Sequence, residues 1–267
     1  MHYLLILFIV SLLASSVGFK YFIYFFSIGY GFGIAALAAT TAIVFWETLT
    51  VPTAILCLVL FTYGCRLGIY LFKRERKSAA YRKILYDPSL QEKKPVFEVM
   101  MVWIFCAILY VAEISPVAFR LTNIVENHPI TDLWAWIGIV LMVAGACLEA
   151  AADAQKSAAK KLNPNRFVDM GLYKIVRCPN YLGEVILWTG CFLTCIGASC
   201  SIWQWIVSSI GYIGIIYVMF SGARRLELRQ VSTYGNDPEY QEYVKKTPIL
   251  IPFLPMYSLA KYKCLKA

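Results

Sequence analysis

The chain has 267 residues, of which 60% are hydrophobic, and its mean hydropathy is +0.62. A soluble domain usually has about 45–50% apolar residues, so the composition excludes an ordinary soluble enzyme and favours a membrane protein. The formal net charge is +9. The basic residues lie on short loops between apolar segments, which argues against a nucleic-acid-binding surface.

Seven apolar segments are each long enough to cross a bilayer as a helix, since about 18 apolar residues suffice. None has the alternating pattern of a barrel strand. The sequence therefore predicts an all-α membrane protein, a bundle of seven transmembrane helices that forms a single domain over residues 1–267. The predicted spans are residues 3–19, 21–46, 49–72, 97–114, 133–152, 181–200 and 202–222.

Charge placement predicts the orientation of the bundle. Of the 25 Lys and Arg residues, 23 share one side of the membrane if the N-terminus is outside, and they lie at Lys20, 73–96, 153–180 and 223–267. Because Lys and Arg accumulate on cytoplasmic loops, we expect an outside N-terminus and a cytoplasmic C-terminus. The first span lacks a preceding Lys or Arg and a good cleavage site, so we expect a retained helix and not a signal peptide.

The second and third spans contain the polar residues of the first half. Glu47 closes the second span. Tyr63, Arg66 and Tyr70 share one face of the third span, because they are three and four residues apart. Arg66 lies about a turn and a half from the basic loop, so it could either snorkel to the surface or face a site within the bundle.

Two other patterns in the chain have a structural explanation. Glycines at 29, 31 and 33 lie inside an apolar helix with no preceding strand, which indicates close helix packing and not a dinucleotide-binding loop. The nine cysteines form no Cys-x-x-Cys pair, and most lie in apolar spans as small buried hydrophobes do. The only histidines are His2 and His128, so we expect no metal site.

The fifth span ends in a stripe of charged residues. Glu149, Asp153, Lys156 and Lys160 are spaced three or four residues apart and therefore lie on one helix face. The lysines are explained by a solvated helix end, where cations complement the helix dipole. Glu149 opposes that dipole and lies a turn inside the apolar segment, so we expect it to have a functional role.

Basic residues converge on the start of the sixth span. Arg166, Lys174 and Arg177 approach a helix N-terminus that begins at Pro179. Guanidinium groups and free N–H groups together suit a phosphate or another anion. The next residues share one helix face and could bind a neutral hydrogen-bonding ring or a ribose; they are Asn180, Tyr181 and Glu184.

At these residues the chain resembles the membrane reductases related to the C-terminal domain of steroid 5-alpha-reductase (3-oxo-5-alpha-steroid 4-dehydrogenase), including the DUF1295 branch of bacterial membrane reductases. The resemblance covers about residues 130–255. The motifs that carry it are Glu149 with Ala152-Asp153-Ala-Gln155-Lys156, Gly171-Leu172, Arg177-Cys-Pro-Asn180-Tyr181-Leu-Gly183-Glu184, Tyr240-Gln-Glu-Tyr243, Thr247-Pro and Ile251-Pro252-Phe253.

The resemblance implies that NADPH is held from the cytoplasmic side, with residues 130–255 as the cofactor-binding region and residues 1–125 as substrate-side helices. Lys160 stands where the steroid enzymes have Arg, Glu149 where they have Asn, and Cys178 where bacterial relatives usually have His. We expect ten residues at the cofactor: Arg66, Glu149, Asp153, Lys156, Lys160, Arg166, Arg177, Asn180, Tyr181 and Glu184.

The resemblance also implies NADPH-dependent reduction of a C=C bond conjugated to a carbonyl in a lipophilic, steroid-like substrate. The segment around Tyr63 is similar to one that carries a catalytic Tyr, so we expect Tyr63 to act as the acid and Glu47 to orient it or the substrate carbonyl. The Gln that precedes the matching Glu in the steroid enzymes is absent. We expect an integral protein of the bacterial inner membrane or the endoplasmic reticulum, in contact with membrane lipids, and favour a monomer.

Three alternatives remain open from the sequence. A membrane methyltransferase of the isoprenylcysteine carboxyl methyltransferase type, dependent on S-adenosylmethionine, shares the Arg-x-Pro-x-Tyr-x-Gly entry. Glu184 after Gly183 is typical of the reductases, and the methyltransferase Glu-Glu pair is reduced here to Arg225-Leu226-Glu227. A non-catalytic lipid-binding protein is the second alternative. A transporter is disfavoured, because the polar residues cluster at one face and not at the midplane.

Overall fold

The computed structural model describes residues 2–77 and 95–265, and most of the predicted basic loop 73–96 lies outside them. Within the described ranges the protein has eight α-helices, several short 3-10 turns and no β-strand, which confirms the predicted all-α class. The helices are α1 (His2–Ser15), α2 (Ile28–Val44), α3 (Val51–Lys77), α4 (Val96–Val125), α5 (Leu133–Leu162), α6 (Pro179–Leu193), α7 (Ile202–Tyr234) and α8 (Pro238–Lys246).

Six helical segments in the described ranges are long and apolar enough to cross a membrane, as expected of an integral membrane protein. They are His2–Phe19, Phe22–Val44, Val51–Arg76, Val96–Val125, Leu133–Leu162 and Ile202–Tyr234. The predicted sixth span is not among them, because α6 has 15 residues and ends at Leu193, short of the ~20 residues that a span usually needs. The count of seven spans and the orientation of the termini stay predictions.

Three helices continue well beyond their predicted spans. Helix α4 extends to Val125, with Pro116 inside it, α5 extends to Leu162 and α7 to Tyr234. In α5 and α7, hydropathy limits the predicted span to the apolar part, whereas the Ala, Lys, Glu and Arg residues beyond that part are good helix formers and prolong the helix.

The chain divides into two compact units. The N-terminal unit comprises Met1–Ile139 and Cys191–Gly211, and the C-terminal unit comprises Val140–Gly190 and Tyr212–Ala267. Each unit therefore contains pieces of α5, α6 and α7. The single domain and its regions 1–125 and 130–255 stay predictions.

Helices α2 and α3 of the N-terminal unit meet backbone to backbone. A Cβ atom added to Gly31 would lie 2.6 Å from the amide nitrogen of Gly68, and one added to Gly64 would lie 2.6 Å from that of Ala35. Small residues allow such close approach in membrane helices. The packing role predicted for the Gly29–Gly33 segment is thus confirmed at Gly31.

A proline in the middle of α4 leaves a carbonyl that needs another donor. Pro116 has no N–H to donate to Ala112 four residues earlier. The Ser115 hydroxyl donates to the Ala112 oxygen at 2.8 Å and lies 3.0 Å from the Ser208 hydroxyl. The carbonyl is therefore satisfied within the protein, as a membrane-spanning helix requires.

Candidate cofactor site

In the C-terminal unit, α5 and α6 cross in direct backbone contact. A Cβ atom on Gly145 would lie 2.5 Å from the Gly183 oxygen, and a Cβ atom on Gly183 would lie 2.7 Å from the Glu149 nitrogen. A side chain at position 183 would force the helices apart. This crossing brings Glu149 to the level of Glu184, the neighbour of Gly183.

Three acidic side chains of α5 and α6 are buried near this crossing. The exposed fraction is 1% for Glu149, 5% for Asp153 and 6% for Glu184. Glu149 is therefore not part of a solvated helix end, although its functional role stays a prediction. Buried acids in a membrane protein are costly and generally mark a binding or transport site.

The first turn of α6 has a buried oxygen that lacks a hydrogen-bond donor. Among the described residues, no donor lies within hydrogen-bonding geometry of Asn180 Oδ1, although that atom is buried. Tyr181, on the same turn, packs against α7, where a Cβ atom on Gly222 would lie 3.2 Å from the Tyr181 ring. A buried polar atom without a partner is rare and costly, so Asn180 Oδ1 indicates a place for a ligand or an ordered water.

Arg177 is buried and engaged in a long-range ion pair. Its Nη2 lies 3.4 Å from Glu227 Oε1, with both side chains almost fully buried, and it donates to the Tyr257 carbonyl. Glu227 Oε2 accepts from the Leu259 amide at 2.8 Å. Arg177 therefore ties the start of α6 to α7 and to the segment that follows α8.

Lys160 uses all its donors within the protein. Its Nζ donates to the carbonyls of Pro164 at 3.0 Å and Arg166 at 2.5 Å and to the Tyr234 hydroxyl at 2.9 Å. An ammonium group has three N–H donors, so in this structure Lys160 holds the turn after α5 against the end of α7.

Arg166 lies on the surface of the same turn. It forms ion pairs with Asp169 at 3.0 Å and Glu239 at 2.5 Å. The hydrogen bonds that Arg166 donates to Glu239 and Asp169 raise its pKa. Among the described residues, Arg166 and Arg177 have no ion-pair partner in common, and their convergence with the exposed Lys174 on one anion stays a prediction.

Lys156 is half-buried, and its positive charge acts on Cys178, directly before α6. Burial raises the pKa of the Cys178 thiol to about 12, and the positive charges of Lys156 and Arg177 oppose this shift. Cys178 is therefore a neutral thiol at physiological pH. A His at this position could instead carry a positive charge.

An aromatic cluster lies beside the Arg166 turn. The Phe167 ring stacks on Tyr243 at 5.4 Å and meets Tyr240 and Tyr234 edge-on at 5.2 and 5.9 Å. Burial raises the pKa of Tyr243, whose hydroxyl donates to the Tyr173 carbonyl at 2.7 Å. A surface depression of about 340 Å³ adjoins this cluster and is lined by Arg166, Asp169, Glu239, Glu242, Tyr243, Lys246 and Thr247.

The expected catalytic residues both lie in the N-terminal unit. Tyr63 is 1% exposed, and its hydroxyl lies 3.3 Å from that of Tyr30. Glu47 is exposed in the 3-10 turn that precedes α3. At ~1.5 Å per residue, Tyr63 lies about 18 Å along α3 from its first residue, Val51, so the structure does not bring Glu47 to the Tyr63 hydroxyl.

Sequence reasoning missed Tyr30 as a neighbour of Tyr63. The available signal was the glycine segment around it, because close approach of α2 and α3 brings the residues beside those glycines together. Arg66 is half-buried on α3, one turn beyond Tyr63, and its role at the cofactor stays a prediction.

Across residues 2–77 and 95–265, no group of three His, Cys, Asp or Glu residues could hold a metal ion.

Comparisons with known proteins support the resemblance read from the sequence. A family model described as "Protein of unknown function (DUF1295)" matches residues 23–247. The steroid 5-alpha-reductase DET2 of Arabidopsis thaliana is 26% identical over 128 residues, which is 45% of this chain and 44% of that protein. The match thus spans less than half the length of that relative. No solved structure matches the chain.

Proposed function

Because the chain belongs to the DUF1295 family and is similar over part of its length to a steroid 5-alpha-reductase, we propose that it is an NADPH-dependent membrane reductase. Its substrate would be a lipophilic, steroid-like molecule with a C=C bond conjugated to a carbonyl. The observation that carries the proposal is the buried Asn180 Oδ1, which has no donor within residues 2–77 and 95–265, on a helix that also buries Glu184.

The polar groups of the C-terminal unit fit the sugar and amide parts of NADPH. A ribose hydroxyl or the nicotinamide carboxamide could donate to Asn180 Oδ1 and remove its desolvation cost. The carboxylates of Asp153 and Glu184 accept hydrogen bonds from hydroxyl groups. Glu149 lies on α5 with Asp153, and Tyr181 lies on α6 with Glu184. The crossing at Gly183 brings these parts of the two helices together.

The phosphates of NADPH need positively charged side chains. The cations of the C-terminal unit differ in how strongly contacts within the protein already engage them. Lys156 is half-buried toward the start of α6. Arg166 is partly exposed, and a phosphate could replace its surface carboxylate partners at small cost, because exposed ion pairs are weak. We assign the phosphates to Lys156 and Arg166, while Lys160 and Arg177 support the site through the contacts they make to its loops.

Reduction of an enone needs a hydride at the β-carbon and a proton donor near the carbonyl oxygen. NADPH, when bound, supplies the hydride. Tyr63 would donate to the carbonyl oxygen as negative charge develops there. The Tyr30 hydroxyl, 3.3 Å from that of Tyr63, can donate in turn and stabilise the tyrosinate. We therefore assign the supporting role expected of Glu47 to Tyr30.

Turnover in membranes tests this proposal. The 267-residue chain should consume NADPH with at least one member of a panel of Δ4-3-keto steroids and lipid enones. Tyr63→Phe should lower the rate by about 10²–10³, the usual cost of one such donor, and Tyr30→Phe by less. Glu47→Gln is the matched control and should leave turnover near wild type. Unchanged turnover in Tyr63→Phe would remove Tyr63 from this role.

A further inference from the structure

The segment 247–265, which follows α8, runs along the surface of α7. The Tyr217 hydroxyl donates to the Cys264 carbonyl at 2.9 Å, and Arg224 donates to the Ala260 carbonyl at 3.2 Å. Residues 260–264 therefore lie along two turns of α7, from Arg224 back to Tyr217.

These two turns lie at the edge of the apolar part of α7. The helix contains no charged residue from Ile202 to Gly222, and Arg224 is its first charge. A stretch of this length matches a hydrocarbon core of about 30 Å. The boundary of the bilayer thus falls near Arg224, and Tyr217 lies on its lipid side.

The start of the segment lies at the same level, against α6. The Cys178 amide, directly before α6, donates to the Ile249 carbonyl at 2.9 Å. Ile249 belongs to a hydrophobic cluster that also includes Ala223 of α7, and Val185 and Phe220 from the predicted spans pack against it. Both ends of the segment are therefore fixed at the membrane boundary.

Between these ends, the chain presents an exposed apolar turn. The Ile249 amide donates to the Met256 carbonyl at 2.8 Å and closes the turn. At its tip, Phe253 is 99% exposed, with a φ of 67°, and Leu254 is 48% exposed. A positive φ is strained for a bulky residue. Packing within the described residues does not account for a strained, fully exposed phenylalanine.

The composition of the segment is that of a membrane interface. Residues 247–265 contain no acidic residue. Lys261 and Lys263 are exposed, and the exposed fraction is 41% for Tyr257 and 42% for Tyr262. Aromatic residues with lysines concentrate at the headgroup level, and lysines there attract anionic lipids.

We propose that residues 251–263 form an interfacial anchor in the bilayer that holds the protein. Phe253 and Leu254 insert among the lipids beside α6 and α7, and Lys261 and Lys263 contact anionic phosphate headgroups. This role is independent of the proposed catalytic function.

Photo-crosslinking of the full chain in vesicles tests the anchor. The variant Phe253→p-benzoylphenylalanine is reconstituted in phosphatidylcholine with a minor share of phosphatidylglycerol, irradiated and analysed by mass spectrometry. The matched control is Leu162→p-benzoylphenylalanine, because Leu162 is 86% exposed at the far end of α5, ten residues past the predicted span. Both variants are used only if their melting temperatures equal that of the wild type.

We expect lipid adducts at position 253 in several-fold excess over position 162, with phosphatidylglycerol enriched beyond its share of the vesicle. Adding Lys261→Gln and Lys263→Gln should abolish that enrichment. Equal adduct yields at the two positions, or crosslinks from position 253 to a second copy of the chain, would overturn the anchor. Lipid adducts with no enrichment would overturn the headgroup contact.

Discussion

In the N-terminal unit, Asn123 and Gln204 donate to each other's side-chain oxygens at 3.1 and 3.0 Å. The buried Arg120 donates to the carbonyls of Thr131 and Thr194 and pairs with Asp132, although its Nε has no acceptor among the described residues. In the C-terminal unit, Asn180 Oδ1 is buried with no donor in the described part of the chain. It lies in a unit that also buries three acids on α5 and α6.

This difference teaches where to look for a ligand. Polar groups that complete one another's hydrogen bonds stabilise the fold and leave little for a ligand to bind. A buried acceptor without a donor lowers the stability of the empty protein and gains a partner only when a ligand or water arrives. The following variants compare the two kinds of site.

The largest effect is expected from breaking the buried ion pair. Arg177→Met leaves Glu227 buried and unpaired, which typically costs about 3–5 kcal/mol. Arg120→Met should cost less, because Asp132 is 51% exposed and water can solvate it. Melting temperatures in detergent measure both. Adding Glu227→Leu to Arg177→Met should recover most of the loss, and a double variant no more stable than the single one would contradict this account.

Closing the glycine crossings should have the next largest effect. Gly183→Val in the C-terminal unit and Gly64→Val in the N-terminal unit each place a Cβ atom within 2.7 Å of backbone, and overpacking costs about 1–3 kcal/mol or more. Only Gly183→Val should also abolish stabilisation by NADPH. Gly33→Ala is the control, because its Cβ would meet only the Tyr110 ring at 3.4 Å. If both valine variants lost stabilisation by NADPH, the crossing of α5 and α6 would have no specific role in cofactor binding.

Two asparagines give the sharpest contrast between the units. Asn123→Leu removes the partner of Gln204 and should cost about 1–3 kcal/mol, without changing the response to NADPH. Asn180→Leu should leave the melting temperature of the empty protein nearly unchanged or raise it, because no donor is lost from Oδ1, yet it should abolish the NADPH response. Melting temperatures with and without NADPH measure both the stability and the NADPH response of each variant. The reverse pattern, in which Asn123→Leu abolishes the NADPH response and Asn180→Leu does not, would place the binding role in the N-terminal unit.

The smallest effect concerns pH. Burial raises the pKa of Tyr243 in the folded protein, so the neutral phenol stabilises the fold at pH values below ~10, the pKa of an unfolded Tyr. This contribution is lost as pH rises above that value toward the folded pKa. Melting temperatures from pH 8 to 11.5 should fall more for the wild type than for Tyr243→Phe. Parallel curves for the two proteins would show that Tyr243 titrates normally.

Local patterns in the sequence predicted part of this structure. Hydropathy located the long apolar helices, and the dipole argument singled out Glu149, which is buried. The Arg177–Glu227 pair and the Tyr30–Tyr63 pair were not predicted, because their members lie 50 and 33 residues apart and no periodicity links them. The distance between Glu47 and the Tyr63 hydroxyl depends on where α3 begins, at Val51. A matched sequence motif does not reveal that starting point.

Cofactor-induced stabilisation tests the central claim most directly. For detergent-purified full chain, NADPH at a hundredfold excess over its Kd should stabilise the fold by about 2.7 kcal/mol. S-adenosylmethionine should have no effect, and Asn180→Leu should lose the response to NADPH. A rise in melting temperature with S-adenosylmethionine and none with NADPH would contradict the reductase assignment and favour a methyltransferase, while no rise with either would favour a non-catalytic protein.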